Sequence, residues 1–190
     1  MKPSVFIFHG TGGYPEENWF PWLKEKLEAK GLRVFVPQFP TPEGQSLGAW
    51  FGVLEGYKQY INEDTILIGH SLGCMFTLRI LEKLPHKVRG VFLVAGMVGI
   101  KPILNYTSDY NFGGFDFDWG KIKNKSENFI VFHSDNDPYV GLENGKELAK
   151  NLGIELSFIP NAGHFNKKAG YTKFEELWDK LEPLLSVSLI

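Results

Sequence analysis

The sequence predicts an α/β fold, with a compact and mainly parallel sheet of about six strands that has helices on both faces. Short apolar runs alternate along the chain with longer segments of helical periodicity, which is typical of strands joined by helical crossovers. The runs at 4–8 and 88–94 are almost continuously apolar, as expected of strands buried on both faces. Chemically interesting loops follow several of the runs, and parallel sheets bind ligands at these carboxyl ends.

Local signals support each element in order. Gly31 ends the first helix, the proline-rich segment 37–42 ends the second strand, and Ser46 is a suitable cap for the second helix. The predicted strands are 4–8, 33–37, 65–69, 88–94, 129–132 and 155–159. The predicted helices are 19–30, 46–61, 72–84, 142–151 and 171–185.

Residues 95–127 form the one long irregular region, with a single helical turn predicted at 119–123. An excursion of this length inside a compact domain is usually a functional loop. Two interpretations of its aromatic residues stay open: they form the wall of an apolar pocket, or they simply pack onto the domain. These residues are Tyr106, Tyr110, Phe112, Phe115, Phe117 and Trp119.

The composition limits the possible functions. A chain of 190 residues is expected to form one domain, spanning 1–190, and its net charge of −2 makes nucleic acid a poor candidate partner. The single cysteine, Cys74, excludes an intramolecular disulfide and a cysteine-based zinc site. The sequence shows no signal peptide and no apolar run of membrane-spanning length, so we expect a cytoplasmic protein that does not bind a membrane.

The segment Thr65-Ile-Leu-Ile-Gly69-His-Ser71-Leu-Gly73 predicts a strand, a sharp turn and a helix, with a serine at the turn. Glycine at 69 and 73 lets the neighbouring backbones approach, and Ser71 is expected to adopt a strained conformation that exposes its hydroxyl. The alternative is a serine that only caps the following helix. The strand and helix on either side favour a nucleophile.

A serine nucleophile needs a base, and the base needs an acceptor. His164 follows the last predicted strand, and the loop 134–140, after the strand before it, supplies a carboxylate. The order Ser, Asp, His is the one expected of this architecture. A developing oxyanion also needs donors, which we expect to be the N–H of Leu72 and the N–H of Thr11 or Gly12.

The other histidines and the cysteine have simpler interpretations. His9 and His70 flank the two loops that carry the oxyanion donors, and we expect them to bond to backbone rather than to act in catalysis. His133 with Asp135 and Asp137 is a weak alternative as a metal site. Cys74, one turn into the helix after Ser71, is expected to be a small buried side chain.

Taken together, these motifs resemble the α/β-hydrolases, and among them the small serine hydrolases related to retinoblastoma-binding protein nine and its bacterial homologues. The resemblance covers nearly the whole chain and implies a three-layer α/β-hydrolase fold without a large lid. It implies Ser71, Asp137 and His164 as the catalytic triad, and we take Leu72 and Thr11 as the oxyanion donors. The matching segments are His9–Gly13, Trp19 with Trp22-Leu23, Gly69–Gly73, Phe117–Trp119 with Lys121-Ile122, Ser134–Pro138 and Gly163–Phe165.

The function expected from the sequence is that of a serine hydrolase that cleaves small carboxylic esters through an acyl-enzyme on Ser71. The expected partner is a small-molecule ester or amide substrate, with no cofactor, metal or nucleic acid, and a protein partner is not excluded. Two alternatives stay open: a serine peptidase or amidase on the same triad, and a non-enzymatic protein-binding domain.

Overall fold

A computed structural model of the chain describes residues 3–98, 112 and 116–185. Its centre is a six-stranded sheet in the order β2-β1-β3-β4-β5-β6, in which every neighbouring pair is parallel. This confirms the predicted fold class. The strands are β1 (Ser4–Phe8), β2 (Arg33–Phe35), β3 (Ile66–His70), β4 (Gly90–Val94), β5 (Phe129–His133) and β6 (Ser157–Phe158).

Helices cover both faces of the sheet. Phe6 and Phe8 of β1 point into one apolar cluster and Val5 and Ile7 into the other, as the two-residue period of a strand requires. The first cluster packs against α2 (Leu47–Glu55), α3 (Leu72–Lys83), α4 (Trp119–Lys123) and α5 (Leu142–Leu152). The second packs against α1 (Phe20–Ala29) and α6 (Glu175–Leu185).

Two helix ends differ from the prediction by more than one residue. Helix α2 begins after its Ser46 cap but ends at Glu55, because the chain turns at Gly56 into a 3-10 turn at Lys58–Tyr60. That turn stacks the Tyr60 ring on Phe35, with ring centroids 4.8 Å apart. Helix α6 begins at Glu175 rather than 171, because Tyr171 donates its N–H to the Asn166 carbonyl at 3.0 Å and so closes the preceding loop.

The long region after β4 contains the predicted helical turn, α4. Phe112 and Phe117 are buried in the first cluster, where the Phe112 ring lies 4.8 Å from Trp50. Tyr106, Tyr110 and Phe115 lie outside the described residues. The described ranges contain no large lid inserted into the fold and no helix long and apolar enough to cross a membrane.

Candidate active site

Ser71 lies at the tight turn between β3 and α3, at the carboxyl edge of the sheet. Its backbone has φ 55° and ψ −122°, a strained conformation for a residue with a side chain. A Cβ added at Gly69 would lie 2.6 Å from the Gly73 carbonyl oxygen, and one at Gly73 would overlap that of Phe8. The Ser71 turn (residues 69–73) therefore requires both glycines.

Cys74 lies behind this turn and is fully buried. Its Sγ lies 3.2 Å from the Gly69 carbonyl oxygen and 3.3 Å from that of Val94. Burial raises the pKa of the thiol, so it stays protonated. As predicted, the side chain fills a small space in the core.

His164 and Asp137 are joined by a short hydrogen bond, in which His164 Nδ1 donates to Asp137 Oδ2 at 2.7 Å. The other carboxylate oxygen of Asp137 accepts the N–H groups of Tyr139 at 2.8 Å and Val140 at 3.0 Å. Burial alone would raise the pKa of Asp137, but the hydrogen bond and charge of His164 and the two backbone donors outweigh it and lower the pKa. Asp137 therefore stays ionised and fixes the proton of His164 on Nδ1.

The carboxylate of Asp135, in the same loop, differs from Asp137 in exposure and in hydrogen-bond partner. It is exposed, and its Oδ1 accepts the N–H of Asn161 at 2.8 Å. Asp137 is thus the acid of the loop that reaches the histidine ring.

Ser71 and His164 both line one cleft of about 390 Å³. None of the hydrogen bonds of the described residues joins Ser71 Oγ to His164 Nε2, and such bonds often tighten only once a substrate is bound. The walls include the apolar or aromatic residues Tyr14, Leu72, Met97, Tyr139 and Val140. None of the described aromatics of the long region, Phe112, Phe117 and Trp119, lines this cleft.

The loop after β1 closes over the Ser71 turn. A Cβ at Gly10 would lie 2.7 Å from Ser71 Cβ, so the loop and the turn are in direct contact. Gly12 donates its N–H to Thr41 Oγ1 at 2.7 Å, which engages one of the two candidate oxyanion donors of this loop. Thr11 and Leu72, the two donors expected from the sequence, both line the cleft.

The remaining histidines bond to backbone. His9 donates from Nδ1 to the Gly10 carbonyl at 2.8 Å and accepts the Phe39 N–H on Nε2 at 3.1 Å. His133 donates from Nε2 to the Val140 carbonyl at 2.9 Å. Burial lowers the pKa of both rings, so both are neutral. No group of three or more potential metal ligands occurs within the described ranges.

Glu17 is a cleft residue that the sequence analysis missed. Its carboxyl group lies beside Gly13, where an added Cβ would be 2.6 Å from Oε1. Burial raises the pKa of Glu17 to about 7, against a smaller opposite effect of the hydrogen bond with the Tyr14 backbone. Nothing in the local sequence distinguishes Glu17 from Glu16, because the difference arises from how the loop folds over the sheet.

Known proteins match this chain over nearly its whole length. Residues 5–183 match the family model described as serine hydrolase. YdeN of Bacillus subtilis is 32% identical over 98% of both chains, and the serine hydrolase RBBP9 of Rattus norvegicus is 28% identical over 99% of this chain and 97% of that protein.

Solved structures give the same result. The crystal structure of the B. subtilis ydeN gene product aligns with a TM-score of 0.89 at 31% identity, covering 97% of this chain and 100% of that chain. A carboxylesterase structure from Nitrososphaera gargenis has a TM-score of 0.73 at 13% identity over 98% of this chain and 90% of that chain, a likeness of fold alone. The chain has the α/β-hydrolase fold and belongs to the serine hydrolase family.

Proposed function

We propose that this serine hydrolase cleaves small carboxylic esters through an acyl-enzyme formed on Ser71. The observation that carries the proposal is the hydrogen bond between His164 and a buried, ionised Asp137, at a cleft that also exposes the strained Ser71. A base with its proton fixed on Nδ1 has Nε2 free to accept a proton, which a serine nucleophile requires.

The proposed reaction begins when Ser71 Oγ attacks the ester carbonyl carbon and its proton passes to His164 Nε2. The tetrahedral intermediate collapses, His164 returns the proton to the leaving alkoxide, and an acyl ester remains on Ser71. Water then attacks this ester while His164 takes the water proton, and the second collapse returns that proton to Ser71 Oγ. Asp137 stabilises the imidazolium in both halves and is not itself protonated.

The oxyanion of each intermediate would accept the N–H groups of Leu72 and Thr11. Leu72 is the first residue of α3, and the first N–H groups of a helix have no carbonyl partner within it. Thr11 is our choice for the second donor because it lines the cleft together with Ser71 and Leu72, whereas Gly12 does not. Each such donor is worth about 10²–10³ in kcat in other serine hydrolases.

Ser71→Ala tests the nucleophile, with p-nitrophenyl acetate as the substrate. We expect a loss of about 10³-fold or more in kcat, with the fold unchanged. Ser46→Ala is the matched control: it removes the cap of α2, where Ser46 Oγ accepts the Ala49 N–H, and costs about 1 kcal/mol of stability. The control should keep its activity, and a Ser71→Ala variant with wild-type turnover would show that the assignment is wrong.

Matched ester and anilide substrates with the same acyl group test the bond that is cleaved. The proposal expects the ester to be hydrolysed and the anilide to be almost inert, and comparable rates on both would indicate a peptidase or amidase instead. Labelling with a fluorophosphonate probe tests the non-enzymatic alternative. In a protein that uses the fold only for binding, Ser71 should not react with the probe.

A further inference from the structure

The segment that carries His164 has an unusual backbone. In the His164 loop (residues 161–167), Asn161, Gly163 and Phe165 have φ values of 58°, 55° and 50°. This left-handed region is costly for a residue with a bulky side chain such as Phe165. The loop therefore holds this shape only if its surroundings fix it.

Three side chains from the loop after β5 fix the N–H groups of the segment. Asp135 Oδ1 accepts the N–H of Asn161 at 2.8 Å, and Ser134 Oγ accepts that of Ala162 at 2.8 Å. Asn136 Oδ1 accepts the N–H of Gly163 at 2.7 Å. Three successive donors are thus held by one neighbouring loop.

Two carbonyl groups of the loop are held by two aromatic rings. His70 donates from Nε2 to the His164 carbonyl at 2.8 Å, and Trp19 donates from Nε1 to the Phe165 carbonyl at 3.0 Å. His70 is the last residue of β3 and directly precedes Ser71. One side chain therefore links the backbone before Ser71 to the backbone of His164.

The surroundings of His70 indicate why a histidine occupies this position. Its ring lies between Phe20 at 5.9 Å, Trp19 at 6.2 Å and His164 at 4.8 Å, measured between ring centroids. Its Nδ1 is buried and has no hydrogen-bond partner among the described residues. An unpaired buried nitrogen lowers stability, and an apolar side chain would avoid that penalty. The Nε2 donor is what an apolar residue could not supply.

Burial, more than the neighbouring charges, keeps the His70 ring neutral. Burial is the largest effect, and with the charge of His164 it lowers the pKa of His70 to about 3. Of the other ionisable groups near it, Asp137 acts in the opposite direction and His9 in the same direction. His70 therefore keeps its Nε2 proton as a donor and does not compete with His164 for the proton of the serine.

We propose that His70 is a positioning residue, which sets the place of the His164 ring relative to Ser71 through its hydrogen bond to the His164 carbonyl. The inference rests on the proposed function, because it concerns the base of that reaction. A displacement of about 1 Å at such a site costs on the order of 10²-fold in rate.

Two substitutions test the bond. His70→Leu removes the donor, and we expect kcat to fall about 10- to 100-fold with KM changed by less than about threefold. His70→Gln places an amide N–H near the former Nε2, and we expect it to recover most of the lost kcat. His86→Leu is the matched control, since His86 also bonds to a backbone carbonyl, that of Lys87 at 2.8 Å, but lies outside the cleft. It should keep wild-type kcat.

Nuclear magnetic resonance of ¹⁵N-histidine in the wild-type protein tests the same bond without a substitution. We expect His70 to be the neutral Nε2–H tautomer throughout pH 5–8. The opposite tautomer, titration in this range, a His70→Leu variant with wild-type kcat, or a glutamine variant no better than leucine would each overturn the inference. If His70→Leu is unaffected while Ser71→Ala is inactive, the proposed function stands and the role of His70 falls. If a fluorophosphonate leaves wild-type Ser71 unlabelled, both fall.

Discussion

At Gly10, the missing side chain leaves the space that Ser71 occupies. A Cβ there would lie 2.7 Å from Ser71 Cβ and 3.1 Å from Ser71 Oγ. Real Cβ atoms do not come this close to other carbons, so either the loop or the Ser71 turn would have to move.

We therefore expect Gly10→Ala to lower kcat on p-nitrophenyl acetate by about 10²-fold, because a shift of either Ser71 or the loop after β1 disturbs their relative positions. Gly52→Ala in α2 is the control: an added Cβ there meets nothing within 4 Å. It should leave the rate unchanged and raise the free energy of unfolding by roughly 0.5–1 kcal/mol. A Gly10→Ala variant as active as wild type would show that the two loops are less tightly coupled than this geometry requires.

Sequence patterns predicted some residues of the site better than others. The strained turn at Ser71 was predictable because two glycines, a strand and a helix surround it. The loop after β5 was predictable as a source of a carboxylate, but the choice of Asp137 over Asp135 came from the family resemblance. The expected bond from His70 to backbone is confirmed, but its partner, the His164 carbonyl, was not predictable, since a hydrogen bond to a distant residue leaves no pattern in the sequence.

At the scale of elements, α3 holds the segment before α4 through Arg79 and Glu82. Arg79 Nη1 donates to Glu82 Oε2 at 2.9 Å and to the Asp116 carbonyl at 3.0 Å, and its guanidinium lies 4.2 Å from the centre of the Phe117 ring. Glu82 Oε1 in turn accepts the N–H of Asp118 at 2.8 Å. The side chains of this ion pair are only 11% and 17% exposed.

Arg79→Ala should lower the free energy of unfolding by about 2–3 kcal/mol, because it removes several contacts and leaves a half-buried Glu82 without its cation. Urea denaturation measures this change. Lys58→Ala breaks the exposed pair with Glu55, whose side chains are 72% and 70% exposed, and should change stability by less than about 1 kcal/mol. Equal losses in the two variants would contradict an anchoring role for Arg79.

The apolar periodicity of the sequence predicts which elements form better than it predicts where each one ends. The number of strands and the helix after Ser71 followed from apolar patterns. The end of α2 could not be predicted in this way. Tyr57 and Tyr60 continue the apolar pattern of the helix, but they contact Phe35 from a non-α-helical segment of the chain. Strand β6 is shorter than predicted: it contains only Ser157 and Phe158, which lie in register with Phe132 and His133 of β5.

At the scale of the whole molecule, the volume of the cleft limits the size of the substrate that it can bind. A cleft of about 390 Å³ lies at the low end of small-molecule sites. Each further methylene gains about 0.8 kcal/mol only if it is buried. We expect kcat/KM on p-nitrophenyl esters to peak between acetyl and butyryl and to fall for acyl chains of about eight carbons or more. Values that rise steadily to palmitoyl would indicate a lipase-like groove and contradict this prediction.

Glu17 should make stability depend on pH. Its pKa is about 7 in the folded protein against an ordinary 4.5, so between these values the folded state holds a proton that the unfolded state has lost. The free energy of unfolding therefore falls as pH rises through this window, and the full loss of stability is present above pH 7.

Thermal unfolding should show that Glu17→Gln matches wild type near pH 4.5 and is a few degrees more stable near pH 8. Glu16→Gln, at an exposed position, controls for the loss of one negative charge, and a Glu17→Gln gain independent of pH would contradict the prediction.

Because Cys74 is buried, the rate at which its thiol is alkylated reports how often the protein opens. The chain has one thiol, and it lies in the helix that begins beside Ser71. Because only an exposed thiolate reacts with an alkylating agent, the native protein should be modified no faster than this helix opens. A compound that occupies the cleft stabilises the closed state and should slow the modification in proportion to its affinity. Mass spectrometry of a single alkylation event would then rank candidate ligands without a chromogenic substrate and without knowledge of the natural one.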